Sequence, residues 1–212
     1  MPADAGKLVI GASTTIGNYL LPELLAEYRR TWPGVEISLE IANTEVIQHK
    51  LLDNALDLGL TEGFVESDEL EAEVFANDLL VVITAPDHPL AGKRNLTTRQ
   101  LCNEYCVLRE PGSGTRSVIE RMLAQRGLGH SPAMSLGSTE AIKRAVAAGA
   151  GISLVSRLSI TNELADGSLI RLKVKDLQVE RPLHKVSLRN KHPSRTVDAF
   201  VNLLKTKAVG YK

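Results

Sequence analysis

Short apolar runs that alternate with helical patterns constrain this chain more than any other feature of its sequence. Leu8–Ile10 is the first such run, and apolar residues then recur on one helical face from Ile16 to Tyr28. The plan restarts at Cys106–Leu108 and again at Ile152–Val155. Strands that alternate with helices are typical of an α/β fold with a largely parallel sheet.

Turn and cap residues place the element boundaries. In the first half we predict a strand at Leu8–Ile10, a helix segment restarting at Pro22 and ending at Trp32–Gly34, a strand at Val35–Ile41, a helix capped at Asn43–Thr44, a strand at Leu56–Leu60, a polar loop at Glu66–Glu71 and a strand at Leu79–Ile83. In the second half we predict a strand at Cys106–Leu108, a helix with Val118, Ile119, Met122 and Leu123 facing inward, a strand at Met134–Leu136, a helix capped by Ser138 and a strand at Ile152–Val155.

Two repeats of this plan indicate two Rossmann-like lobes. We expect lobe I at residues 1–84 and 187–212 and lobe II at residues 85–186, so that the helix Val197–Leu204 packs back on lobe I. Two crossover strands would form a hinge, and a ligand would bind in a cleft between the lobes, outside the carboxyl ends of the strands.

Three hydroxyl-rich turns stand between a strand and a helix, at Gly11–Gly17, Gly112–Arg116 and Gly137–Glu140. A helix N-terminus offers unpaired backbone N–H groups and a positive dipole end. Serine and threonine hydroxyls add donors there without adding charge. The three turns therefore predict a pocket for a small anion.

Charge and hydropathy exclude several classes of partner. The 25 basic and 25 acidic residues cancel, and no basic stripe of the kind that binds nucleic acid is visible. No apolar stretch reaches the 18 residues of a membrane span, and the N-terminal residues have no apolar core of signal-peptide length. We expect a cytoplasmic protein with no membrane partner.

The residues that ligate metals are not clustered. Cys102 and Cys106 are four apart, but the histidines are scattered without metal-ligand spacing, so the interpretation as two reduced thiols is favoured; the histidines are His49, His88, His130, His184 and His192. Eight aromatic residues are few for a site that holds a large planar cofactor. Neither a Gly-x-Ser-x-Gly elbow nor a phosphate P-loop occurs, so we expect no cofactor, no metal and no enzymatic activity.

A family resemblance covers essentially the whole chain. The segment from Leu8 to Pro22 resembles the start of the effector-binding domain of LysR-type transcriptional regulators. Asp57–Leu60 is similar to the family's third strand, Ala85–Leu90 to its crossover and Gly149–Leu154 to the segment after the ligand-facing helix. The pair Val155-Ser156 departs from the pattern, because many members have Leu-Pro there.

The resemblance implies a fold like that of periplasmic binding proteins, a small-molecule inducer and a winged helix-turn-helix DNA reader. That reader precedes the first strand in the family, so we expect residues 1–6 to be a linker remnant and promoter DNA to be bound only through a domain that this chain lacks. It also implies antiparallel homodimers, in which the Leu20–Arg30 helix packs near the partner's Arg116–Gln125 helix, with tetramers only in the full-length protein.

Within the family the turns most resemble the branch that controls sulfur assimilation and sulfite handling, with carbon-fixation regulators next. Sulfite or sulfate is accordingly the favoured effector, and an anionic carbon metabolite is the alternative. A stand-alone solute-binding protein is a further alternative. The candidate effector-binding residues are Ser13, Thr14, Thr15, Asn43, Thr44, Glu62, Gly112, Ser113, Thr115, Arg116, Ser138 and Thr139.

Each candidate also has a purely structural interpretation. Ser13 or Thr14 is equally suited to capping the first helix, and Arg116 to a solvated or interface position. Glu62 would repel an ionised ligand. It therefore points away, pairs with Arg116 or another cation, or accepts a proton from a ligand such as bisulfite.

Overall fold

The strands and helices of this computed structural model alternate along the chain, and the structure describes residues 5–129 and 131–208. In chain order the elements are β1 Gly6–Ser13, α1 Thr14–Tyr19, α2 Leu21–Thr31, β2 Val35–Ala42, α3 Thr44–Leu52, β3 Leu58–Glu62, β4 Leu70–Thr84, α4 Thr98–Leu101, β5 Tyr105–Arg109, α5 Gly114–Gln125, β6 Ser131–Leu136, α6 Thr139–Ala147, β7 Ile152–Ser156, a 3-10 turn Arg157–Ser159, α7 Thr161–Asp166, β8 Ile170–Leu172, β9 Val179–Leu188 and α8 Arg195–Ala208. The α/β fold with two lobes that the sequence predicts is confirmed.

The chain divides into two units. Unit 1 comprises the described residues up to Asn77 and those from Pro182 onward, and unit 2 runs from Asp78 to Arg181. The predicted boundaries follow residues 84 and 186. They lie seven and five residues further along the chain than the observed boundaries after Asn77 and Arg181. The reason for the difference is that β4 and β9 are single long strands that each continue from one unit into the other. The segment Ala85–Leu90, which resembles the family's crossover, follows the end of β4 and lies within unit 2.

In unit 1 the sheet order is β2-β1-β3-β9. The first three strands are parallel, and β9 runs antiparallel to β3. Helix α3 packs closely on this sheet, since a side-chain carbon added at Gly59 would lie 2.6 Å from Leu51 Cδ1. Helices α2 and α8 are joined by the Tyr28 hydroxyl, which donates to the Thr196 carbonyl at 2.9 Å. The carboxyl ends of β1, β2 and β3 therefore meet at one edge of the sheet.

In unit 2 the sheet order is β4-β7-β5-β6, with β8 paired to β4. Strands β5, β6 and β7 are mutually parallel. Side chains of β4 alternate between two cores: Leu80 and Val82 pack with Ile119 of α5, whereas Val81 and Ile83 belong to the core that contains α6. This two-residue period places one helix core on each face of the sheet.

The polar loop predicted at Glu66–Glu71 is partly wrong, because β4 begins at Leu70. The first half of this strand is stabilised by partners that are distant in sequence. Glu73 pairs with Lys185 of β9 at 2.7 Å and with Lys205 of α8 at 2.8 Å. The two ammonium groups lower the pKa of Glu73 to about 2. A charged, exposed segment is therefore held as a strand by tertiary contacts rather than by its own hydropathy pattern.

None of the helices within residues 5–129 and 131–208 has the length and apolar character needed to cross a membrane.

Candidate functional site

The end of β1 and the end of β3 carry a hydroxyl and a carboxylate that bind each other. Ser13 is the last residue of β1 and Glu62 the last residue of β3. The Ser13 hydroxyl donates to Glu62 Oε2, and both side chains are buried. Although Ser13 occupies the N-cap position of α1, its side chain makes no cap hydrogen bond. The Ser13 hydroxyl is therefore bound to a residue that is distant in sequence and does not cap the helix that it precedes.

Asn43 and Thr44 follow the end of β2 and have different partners. The Asn43 side chain accepts from the Val46 amide at 3.0 Å, which is an ordinary helix cap for α3. Thr44 is buried and donates to the Glu62 backbone carbonyl at 2.8 Å. Thr44 therefore fixes the backbone of Glu62 while Ser13 fixes its side chain.

Thr14 and Thr15 are the first two residues of α1, and Thr15 is buried. All the candidate residues of unit 1 therefore lie at the edge where the parallel strands end. They are Ser13, Thr14, Thr15, Asn43, Thr44 and Glu62.

In unit 2 the first hydroxyl-rich turn connects β5 to α5. Gly112 has a φ of 82°, a conformation that favours glycine, and Ser113 is the N-cap residue of α5 without a side-chain cap bond. Thr115, in the first turn of α5, accepts a hydrogen bond from Arg181 Nη1 at 2.7 Å. This turn is thus hydrogen-bonded to a buried arginine that the sequence pattern did not indicate.

Arg181 and Asp78 form a fully buried ion pair. Arg181 Nε and Nη2 both donate to Asp78 Oδ2, at 2.9 and 2.7 Å, and the exposed fractions of the two side chains are 0% and 1%. Ser156 donates to the other carboxylate oxygen, Oδ1, at 2.8 Å. Nothing local in the sequence indicates this pair, because its members are 103 residues apart.

Arg116 is bound within its own neighbourhood. Its Nε donates to Glu120 at 2.7 Å, one turn further along α5, and its Nη1 donates to the Arg109 carbonyl at 3.1 Å. These bonds favour the structural interpretation of Arg116, and its pairing with Glu62 stays a prediction. Through these two bonds Arg116 connects the start of α5 to the end of β5.

The third hydroxyl-rich turn connects β6 to α6. The Ser138 hydroxyl accepts from the Ala141 amide at 3.1 Å, as predicted for a helix cap, and Thr139 is buried in the first turn. Since β5 and β6 are parallel neighbours, with Arg109 opposite Leu136, the turns that follow them lie at the same edge of the sheet. Unit 2 therefore brings its six candidates to one edge of its strands, as unit 1 does with its own.

A second feature that the sequence did not reveal lies between β3 and β9. Thr61 and His184 are directly opposite each other in the antiparallel ladder, and Thr61 Oγ1 and His184 Nδ1 are buried without a hydrogen-bond partner. Burial lowers the pKa of His184. The sequence does not indicate that Thr61 and His184 are neighbours, because β3 and β9 are far apart along the chain.

No group of three or more histidine, cysteine, aspartate or glutamate side chains that could hold a metal is present among residues 5–129 and 131–208. His130 lies outside the described residues. Cys102 and Cys106 are free thiols, and burial raises the pKa of Cys106 to about 12. A thiol with such a pKa stays protonated near neutral pH, so it is a poor nucleophile and a poor metal ligand.

Comparison with known proteins places this fold and these turns in one family. The family model described as the LysR substrate binding domain matches residues 3–209. The chain is 39% identical over 203 residues to the uncharacterized HTH-type transcriptional regulator YeiE of Escherichia coli (strain K12), covering 94% of this chain and 68% of that protein. It is 32% identical over 201 residues to the HTH-type transcriptional regulator CysL of Bacillus subtilis (strain 168), covering 95% and 67%.

A carbon-fixation regulator and a solved regulatory domain are similar as well. Identity is 37% over 195 residues to the RuBisCO operon transcriptional regulator of Allochromatium vinosum, covering 92% of this chain and 64% of that protein. The regulatory domain of CcmR from Synechocystis PCC6803, solved in complex with 2-PG, superposes with a TM-score of 0.89 at 34% identity and covers 96% of this chain and 97% of that one.

The chain belongs to the LysR substrate binding domain family. It spans about two thirds of the length of these curated relatives. Because the relatives are transcription regulators, the chain is a regulatory domain of that class and not an enzyme.

Proposed function

We propose that this chain is the sensor of a LysR-type regulator and that it binds a small anionic effector, with sulfite or sulfate as the favoured species. The observation that carries the proposal is the gathering of hydroxyl groups and helix starts at the carboxyl edge of the parallel strands in each unit. Helix N-termini and neutral hydroxyls bind compact oxyanions without requiring a lysine or arginine in contact with the ligand.

The two units offer an effector different groups. In unit 1 the Ser13 proton is used by Glu62, so the site contributes oxygen atoms that accept hydrogen bonds. In unit 2 the Thr115 hydroxyl accepts a hydrogen bond from the Arg181 guanidinium, and Ser138 and Thr139 add hydroxyl groups at the start of α6. A singly protonated oxyanion such as bisulfite has one O–H group that could donate to the Glu62 carboxylate, whereas fully ionised sulfate has none.

An anionic carbon metabolite is the second candidate effector. The observation that favours it is the likeness to the RuBisCO operon regulator and to the CcmR domain solved with 2-PG. The likeness to CysL and the resemblance of the turns to the sulfur branch favour a sulfur oxyanion. Both candidates are anions and would use the same hydroxyl groups.

The test is titration calorimetry of the purified chain with sulfite, sulfate, thiosulfate, phosphate, phosphoenolpyruvate, O-acetylserine and 2-PG. We expect saturable binding of one sulfur oxyanion that Thr14→Val and Thr139→Val each weaken about tenfold or more, because each removes one hydroxyl. Thr206→Val is the matched control, since the Thr206 hydroxyl only bonds Asn202 within α8. Binding of a carbon metabolite alone would assign the second candidate, and binding of none of these anions would overturn the proposal.

Glu62→Gln tests the protonated form of the effector. We expect this variant to lose the preference for sulfite over sulfate, because a neutral amide no longer requires a proton on the ligand. An unchanged ratio of the two affinities would exclude a role for Glu62 in selectivity.

Dimerisation and DNA binding belong to the same proposal. The chain would form a homodimer through its regulatory domain, with the α2 surface against the partner's α5 surface, while promoter DNA would be bound by a separate N-terminal domain of a full-length cytoplasmic regulator that assembles as a tetramer. Sedimentation equilibrium of this chain checks the first statement, and a monomer at all accessible concentrations would contradict it.

A further inference from the structure

Thr61 and His184 in unit 1 have two buried polar atoms without a partner. The two residues are directly opposite each other on β3 and β9, and neither Thr61 Oγ1 nor His184 Nδ1 has a hydrogen-bond partner within residues 5–129 and 131–208. Thr61 is fully buried, whereas the His184 ring is half-buried. An unpartnered polar atom in a protein interior costs stability, so this pair calls for an explanation.

Both side chains lie on the face of the sheet that α3 covers. Residues opposite each other in an antiparallel ladder point to the same face, and alternate residues of a strand share a face. Gly59, two residues before Thr61, faces α3, because a side-chain carbon added there would lie 2.6 Å from Leu51 Cδ1. Val186, two residues after His184, belongs to the same apolar core as Leu51. His184 therefore lies beside an apolar core, near the carboxyl end of β3.

The ionisable groups of the elements packed around His184 are paired with one another or reach solvent. Lys185 points to the opposite face, where it pairs with Glu73 of β4. Lys50 of α3 pairs with Glu40. Six others are exposed, namely Glu45 and His49 on α3, Glu66, Asp68 and Glu69 after β3, and Glu71 on β4. Within the described part of the chain, none of these groups is paired with His184.

The hydroxyl-rich edge of unit 1 carries a negative charge. Glu62 is the only ionisable side chain among the six candidate residues of this edge, and it accepts a hydrogen bond from Ser13. An anion bound there is repelled by the carboxylate, while the helix starts offer only partial positive charge. His184 is close to this edge, since its cross-strand neighbour Thr61 directly precedes Glu62. A positive charge on the His184 ring would attract a bound anion.

The surroundings of His184 favour the neutral ring while no anion is bound. Burial lowers the pKa of His184 from its ordinary value of 6.5, because a charged ring is poorly solvated beside an apolar core. A nearby anion has the opposite effect and raises the pKa, since it stabilises the charged form. Between the pKa of the free protein and that of the complex, binding an anion and binding a proton therefore support each other.

We propose that His184 determines the affinity of unit 1 for its anionic effector by taking up one proton when the effector binds. The protonated ring supplies the positive charge that the hydroxyl-rich edge does not provide. Its Nδ1–H group then donates to the Thr61 hydroxyl, so that both buried atoms gain a partner. His184 acts through its charge rather than through contact, and it favours oxyanions and phosphorylated acids over neutral ligands. This inference rests on the proposed sensor function.

The test is calorimetry with sulfate at several pH values, because sulfate stays fully ionised across the range and takes up no proton itself. We expect the affinity of the wild type to rise about three- to tenfold from about pH 8 to about pH 5, with an uptake of up to about one proton per sulfate. Two buffers with different ionisation enthalpies measure that uptake. In His184→Gln, which keeps a polar side chain, affinity should not depend on pH and no proton should be taken up.

Two control variants separate His184 from other ionisable groups of unit 1. His192→Gln replaces an exposed loop histidine and should behave like the wild type. Glu62→Gln should keep the proton uptake, because the carboxylate is not the group that gains the proton. Affinity that does not depend on pH in the wild type, or an unchanged uptake in His184→Gln, would overturn the inference and leave the sensor function standing. Complete loss of the uptake in Glu62→Gln would assign the proton to Glu62 and would also overturn it.

A measurement on the wild type alone makes the test independent of how well a variant folds. The His184 ring signals, assigned by triple-resonance spectra, should titrate with a pKa below 6.5 in the free protein and with a higher pKa in saturating sulfate. The same pKa in both states would overturn the inference. If the wild type binds no anion of the wider panel at any pH, the proposed function fails and this inference fails with it.

Discussion

Ser13 in unit 1 and Thr115 in unit 2 are hydroxyls at the starts of helices that follow parallel strands, yet they have opposite hydrogen-bonding roles. Ser13 donates to the carboxylate of Glu62, whereas Thr115 accepts from the guanidinium of Arg181. The difference teaches that the local motif determines where a hydroxyl lies, whereas the charged side chain next to it determines whether the hydroxyl donates or accepts. Four experiments test this comparison.

The largest effect is expected at the charged residue behind Thr115. Arg181→Met leaves Asp78 buried and unpaired, and we expect a loss of about 3–5 kcal/mol in the free energy of unfolding. Urea unfolding followed by circular dichroism measures it. The double variant Asp78→Leu with Arg181→Met removes both charges and should recover most of the loss. A single variant that loses less than about 1 kcal/mol would mean that the pair is hydrated in solution.

The corresponding change in unit 1 is smaller. Ser13→Ala removes a donor from a buried carboxylate, and we expect a loss of about 1–3 kcal/mol by the same measurement. In a Glu62→Gln background the cost should fall, since the charge that the hydroxyl stabilises is gone. Equal costs in both backgrounds would show that the Ser13 hydroxyl does not stabilise the Glu62 charge.

Two further hydroxyls distinguish local capping from tertiary bonding. Ser138→Ala should cost about 1 kcal/mol, because Ser138 is a true cap of α6. Ser113→Ala should cost about 0.5 kcal/mol or less, since the Ser113 side chain makes no cap bond. Thermal unfolding of the two variants side by side checks the order, and the reverse order would contradict the assignment of caps.

The smallest effect is expected in the pH dependence of stability, at His184 in unit 1. Because burial lowers the pKa of His184 from its ordinary value of 6.5, the folded state favours the neutral ring. The associated stability is present in full above pH 6.5 and is lost as the pH falls from there through the lowered pKa of the folded protein. We expect His184→Leu to flatten the decline of unfolding free energy between pH 7 and 5. A parallel decline in both proteins would exclude His184 as its source.

Much of the fold could be predicted from the sequence because its signals are local. The restart of a helix at Pro22 is observed as the break between α1 and α2, and the caps at Asn43 and Ser138 are observed as predicted. The start of β4 could not be predicted in this way. Its first residues are charged and exposed, and they form a strand because Lys185 and Lys205 hold Glu73.

The sequence by itself determined the alternation of strands and helices, the caps and the placing of hydroxyl groups at one edge of each sheet, because these depend on periodicity and on residues a few positions apart. Only the tertiary structure decided the roles of those hydroxyls. Ser13 meets Glu62 across 49 positions, Thr115 meets Arg181 across 66, and Arg181 meets Asp78 across 103. A hydrogen-bond direction depends on the nearest charge in space, and the chain brings that charge from a distant segment only when it folds.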